Sequence, residues 1–143
     1  MQITSERRLI RATPNEVWKT LHSVNGWKDW DPSIETSILL ESPKPGAMGS
    51  LKFFRRNPVH FTLLEIEAGK VMQWSMRCLW VDVIYSYRII PNSDGTILVF
   101  EADCRGGFLW FARWLLENRI YSRFERAMNR LKMKLDRLLD KTA

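Results

Sequence analysis

Residues 81–104 read VDVIYSYRIIPNSDGTILVFEADC. Residues 81–90 and 96–104 are two runs rich in β-branched and aromatic side chains, apolar at alternate positions. Asn92-Ser93-Asp94-Gly95 between them is turn chemistry, so the two runs read as a hairpin. Upstream the same grammar recurs. Residues 50–55, 59–68 and 71–78 are further strand candidates, separated by Asn57-Pro58 and Ala68-Gly69-Lys70. In residues 33–41, Ile34, Thr36, Ile38 and Leu40 alternate with Glu35, Ser37 and Glu41, before Pro43-Lys44-Pro45-Gly46 turns the chain. With an extended stretch over residues 2–12, the pattern predicts seven strands in one antiparallel sheet.

The alternation also predicts an inner face: Met72, Trp74 and Met76; Val83, Tyr85, Tyr87 and Ile89; Leu98, Phe100 and Ala102; Leu64 and Ile66. A slip of one residue would turn such a set outward.

Two features interrupt the strands. Thr13-Pro14-Asn15-Glu16 is a capping box that opens a short helix with Val17, Trp18 and Leu21 on one face. Asn25-Gly26 ends it, and residues 27–32 form a second short turn before Pro32, with Trp27 and Trp30 as anchors. At the other end, Gly106-Gly107 closes the last strand and residues 108–140 contain neither Gly nor Pro. They predict one long helix whose apolar stripe holds Trp110, Trp114, Tyr121, Phe124, Met128, Leu131, Leu135 and Leu139. Arg113 and Glu117, four residues apart, project into that stripe.

Length and composition narrow the function. The 143 residues suit a single domain over 1–143, and 45% hydrophobic with 27% charged content is ordinary for a globular protein. Cys78 and Cys104 are too few for a disulfide framework, and with His22 and His60 they fall short of a structural metal site. No signal peptide or apolar membrane span is predicted, and a reduced, cytoplasmic setting is expected. The net charge of +6 arises wholly in residues 105–143, where ten basic side chains face four acidic ones. That basic helix reads as a solvated face, without an accompanying DNA- or RNA-binding motif; peripheral contact with an anionic membrane is the alternative use. No triad, P-loop or dinucleotide loop is present. His60, Tyr85, Tyr87 and Glu117 are the polar groups that could serve acid–base chemistry in an apolar site.

Residues 10–18, IRATPNEVW, followed by residues 26–33, GWKDWDPS, resemble the opening of the polyketide cyclase/dehydrase and lipid transport family. That family belongs to the START-like (SRPBCC) superfamily. The ending Leu131-Lys132-Met133-Lys134-Leu135-Asp136 is similar to its terminal helix, although the lysine here directly follows the leucine. Gly46 and Gly49 stand where the family turns into its third strand. The resemblance covers essentially the whole chain.

It implies an α+β helix-grip fold, a seven-stranded antiparallel sheet wrapped around the C-terminal helix, with an internal cavity for a small hydrophobic or amphipathic ligand such as a lipid or aromatic polyketide. Trp74, Met76, Tyr85, Tyr87, Phe100, Trp110, Arg113, Trp114 and Glu117 are the ligand-binding candidates; no cofactor or metal is expected. A cyclase or dehydratase working in the same cavity is the alternative reading.

Overall fold

The computed structural model describes residues 2–78, 81–106 and 109–142, with side chains at all of these except 78, 109–112, 114–115 and 137–142. Seven strands, β1 (Gln2–Ile10), β2 (Ile34–Leu39), β3 (Met48–Phe53), β4 (Val59–Glu67), β5 (Val71–Cys78), β6 (Val81–Asn92) and β7 (Gly95–Arg105), form one sheet in the order β1-β7-β6-β5-β4-β3-β2. Every pairing is antiparallel. The hairpin at residues 81–104 sits as expected: Tyr85 faces Ala102, Tyr87 faces Phe100, and Asn92 meets Gly95 at the turn.

β1 and β2 lie at opposite edges, so the chain between them must cross the whole sheet. Helix α1 (Pro14–His22) and a 3-10 turn (Val24–Asp29) make that crossing. The Thr13 hydroxyl accepts from the Glu16 amide at 3.2 Å, as the capping box requires. Val17, Trp18 and Leu21 are buried. Trp27 is fully buried, and its indole N–H donates to the Leu21 carbonyl at 2.9 Å, which ties the 3-10 turn to α1. Ser37 then bonds the Val24 carbonyl at 2.6 Å and anchors β2 beneath it.

Helix α2 (Leu109–Thr142) is the element the sheet grips. Its buried face runs Leu116, Ile120, Arg123, Phe124, Ala127, Met128, Leu131 and Leu135. Near its far end the Arg11 amide donates to Asp136 at 3.1 Å, fastening the helix to the end of β1.

Three expectations about facing change, and two share one cause. A register shift in β4 between Leu63 and Ile66 adds a residue, so Phe61 and Leu63 point inward and Leu64 outward at 39% exposure, while Ile66 still packs on the core. A similar shift in β2 after Ile34 makes Ser37 and Leu39 the inner residues. Ile38 and Leu40, expected among the apolar alternates, are therefore exposed. Tyr121 is also exposed, because the buried face of α2 passes through Ile120 and Phe124 instead. The Trp110, Trp114 and Leu139 side chains lie outside the described residues.

The centre of the grip is an aromatic cluster. Trp27, Trp30, Phe61, Trp74, Tyr85, Tyr87, Phe100 and Phe124 are all buried and touch one another ring to ring. Trp74 stacks on Tyr85 with centroids 4.4 Å apart, and Tyr87 meets Phe100 at the same distance. Contacts of this kind contribute roughly 0.5–1.5 kcal/mol each beyond the area they bury.

Candidate functional site

The aromatic cluster ends short of one end of the sheet, and a pocket of about 360 Å³ opens there. Strands β3, β4, β5 and β6 supply Phe53, Val59, Met76, Arg77 and Tyr85; Arg56 and Asn57 come from the β3–β4 turn; α2 supplies Leu116, Arg119, Ile120 and Arg123. The alternation of the strands aims Met76 and Tyr85 at α2, and the four-residue spacing of Leu116 and Ile120 stacks them on its facing side. The volume falls at the small end of the range for ligand sites.

One charge lies deep in this apolar setting. Arg123 is 8% exposed, and its Nε donates to Asp31 Oδ2 at 3.1 Å. The other carboxylate oxygen of Asp31 accepts from the Ser33 amide at 3.0 Å and the Ser33 hydroxyl at 2.6 Å. The guanidinium also lies over three rings: 4.8 Å from the centroid of Phe53, 4.9 Å from Tyr85 and 5.7 Å from Trp74. Burial works against its charge, but the Asp31 carboxylate, and then Tyr85 and Tyr87, outweigh burial and hold the guanidinium above its ordinary range. Arg123 is thus a permanent cation. Behind it, the Trp74 indole donates to the Tyr87 hydroxyl at 3.0 Å. Burial pushes that phenol well above its ordinary value, against the opposing pull of Arg123.

The residues singled out from the sequence divide into three groups. Met76 and Tyr85 line the pocket. Trp74, Tyr87 and Phe100 belong to the aromatic cluster behind it; Trp74 reaches the site through its stack on Tyr85 and its face toward Arg123. Arg113 and Glu117 pair with each other at 3.6 Å, about half exposed, and are not among the lining residues. The expected i,i+4 pair exists, but solvent rather than the interior surrounds it. The Trp110 and Trp114 side chains lie outside the described residues. His60 is exposed on β4.

The Asp31–Arg123 pair is the feature that sequence reading missed. Helical spacing gave no signal for it: at 100° per residue, Arg123 lies about 20° from Leu116 and about 40° from Ala127, but also about 20° from Arg130 and from Lys134, on the border between the apolar and the basic face. Only the fold shows that this border position is buried, where a charge requires a partner.

A helix-grip sheet with a pocket at the open end of the grip places the chain among START-like proteins. It belongs to the polyketide cyclase/dehydrase and lipid transport family, whose pattern matches residues 1–136. The di-domain ARO/CYC protein StfQ of the steffimycin biosynthetic pathway superposes with a TM-score of 0.79 at 8% identity, over 96% of this chain and 51% of StfQ. The chain thus spans about half of that relative. A protein from Thermobifida fusca gives a TM-score of 0.79 at 18% identity over 94% of this chain and 93% of its own. One from Mesorhizobium loti gives 0.70 at 16% identity, over 98% of each. Curated proteins yield no significant sequence match. Among the described residues no group of three or more His, Cys, Asp or Glu could hold a metal ion, and no helix is long and apolar enough to cross a membrane.

Proposed function

We propose that the protein binds a small hydrophobic or amphipathic molecule, a lipid or an aromatic polyketide, in the pocket between α2 and the open end of the sheet. The supporting observation is the lining. Phe53, Val59, Met76, Leu116 and Ile120 supply apolar surface, while Tyr85 and Arg123 supply polar groups at fixed positions. Apolar burial of about 25 cal/mol per Å² drives uptake, and the polar groups orient the guest. Membership of the family, and the kinship in fold with an ARO/CYC protein of a polyketide pathway, support the same class of ligand.

A cyclase or dehydratase reaction in this pocket is the second reading, supported by the same family membership. The ionisable groups among the described lining residues are Tyr85 and four arginines. His60 and Glu117, the other acid–base candidates, lie outside that lining. Such a set suits holding an enolate better than abstracting the proton that forms it, which favours binding over turnover.

Titration with an uncharged fluorescent probe, N-phenylnaphthylamine, tests the proposal. Saturable uptake of one probe per chain is expected, with competition by a polycyclic phenol. Absence of saturable uptake overturns the binding reading. Turnover of a polyketide-like thioester that is lost in Tyr85→Phe would promote the enzymatic one.

A further inference from the structure

The pocket's lining carries an unbalanced charge. Arg56, Arg77, Arg119 and Arg123 all contribute to it, and no acidic side chain does so among the described residues. Arg123 is committed to Asp31 at the depth of the site. Arg77 shares its charge with Asp82 at 3.5 Å, on the exposed surface. Arg56 and Arg119 are exposed and have no ion-pair partner among the described residues. They reach the pocket from two different elements, Arg56 from the β3–β4 turn and Arg119 from α2.

Resting on the binding reading above, we infer that the guest is an anionic amphiphile, with a carboxylate or phosphate head at the mouth between Arg56 and Arg119 and an apolar tail inside. The physical reason is the division of labour within the site. The interior offers carbon surface from Phe53, Val59, Met76, Leu116 and Ile120, and its single deep cation is already neutralised by Asp31. An anionic head driven down to Arg123 would lose its hydration to compete with a carboxylate that already holds the guanidinium. At the mouth the head keeps part of its water and meets two cations whose planar forks match carboxylate and phosphate oxygens. Clustered like charges on one rim repel each other, and an anion between them relieves that repulsion. A neutral guest would leave the repulsion in place.

Isothermal titration of the full chain with dodecanoate, dodecyl phosphate and dodecanol tests the inference, beside the double variant Arg56→Gln/Arg119→Gln. Both substitutions are at exposed positions, and dodecanol uptake reports whether the pocket survives them. The two anionic amphiphiles are expected to bind about tenfold more tightly than the alcohol, the order expected of partly screened charge contacts. In the double variant that preference should vanish while dodecanol binding is retained, and in wild type it should shrink as salt rises. Equal affinity for acid and alcohol, or a preference that survives in the double variant, overturns the anionic head while leaving the pocket intact. Failure of all three amphiphiles to bind overturns the binding reading itself. Inorganic phosphate binding as tightly as dodecyl phosphate would overturn the assignment of the tail. Attachment to phosphatidylglycerol vesicles without uptake of dodecanoate would make the arginines a membrane contact instead.

Discussion

Asp31 and Arg123, 92 residues apart in sequence, meet at 3.1 Å where the crossing between β1 and β2 passes under α2. The contact joins the two parts of the chain that close the grip, and both partners are almost wholly removed from water.

Removing one partner leaves the other charged and buried. Arg123→Met is expected to cost about 3–5 kcal/mol, because Asp31 then keeps only its Ser33 contacts. Asp31→Asn should cost a similar amount by stranding the guanidinium. The double variant Asp31→Asn/Arg123→Met should be less destabilised than the two costs added together. Urea unfolding of the four proteins closes the cycle, and additive losses would count against a direct pair.

Tyr87 makes stability depend on alkaline pH. Its folded pKa is raised above the ordinary 10.0, with burial the principal cause. The folded state therefore holds its proton where the unfolded chain releases it. The contribution is fully present below pH 10.0 and is lost as pH rises through the folded value. Tyr87→Phe should flatten that decline. It should also cost about 1–3 kcal/mol at neutral pH, since the Trp74 indole loses its acceptor. Denaturant midpoints for both proteins at neutral pH and above pH 10.0 provide the check.

Val59 is half-buried and lines the pocket, so a larger side chain there has space to enter. In Val59→Trp, naphthylamine affinity is expected to fall by about tenfold or more. Stability should change by less than about 1 kcal/mol, below the usual overpacking cost in a filled core. Leu64→Trp on the outer face of the same strand is the control and should leave uptake unchanged. Equal binding by wild type and Val59→Trp would move the guest elsewhere.

Much of this architecture was legible from local chemistry. The Thr13 cap, the hairpin turn at Asn92 to Gly95 and the pairing of β5 with β6 that sets Trp74 opposite Tyr85 each needed only neighbouring residues, and each formed as expected. The misses came where one additional residue altered the facing of everything after it. Leu64 and Ile38 belong to apolar alternations that the shifts in β4 and β2 break, and no local composition marks those shifts. The site was harder to read because it depends on relations across the fold. Met76 and Tyr85 could be placed by strand alternation. Arg123 could be understood only beside Asp31, and the exposure of Arg113 depends on how far along α2 the sheet extends.

The aromatic cluster behind Tyr85 also sets a limit on reach. Tyr85 and the buried Arg123, backed by Trp74, Tyr87 and Phe100, form a wall at the inner end of the pocket, and moving any of these rings would unpick the centre of the protein. In the proposed binding role the pocket is therefore a gauge with a hard stop. Affinity should climb with each carbon added to a tail until the tail touches that wall, and level off for longer chains, whose surplus remains in water.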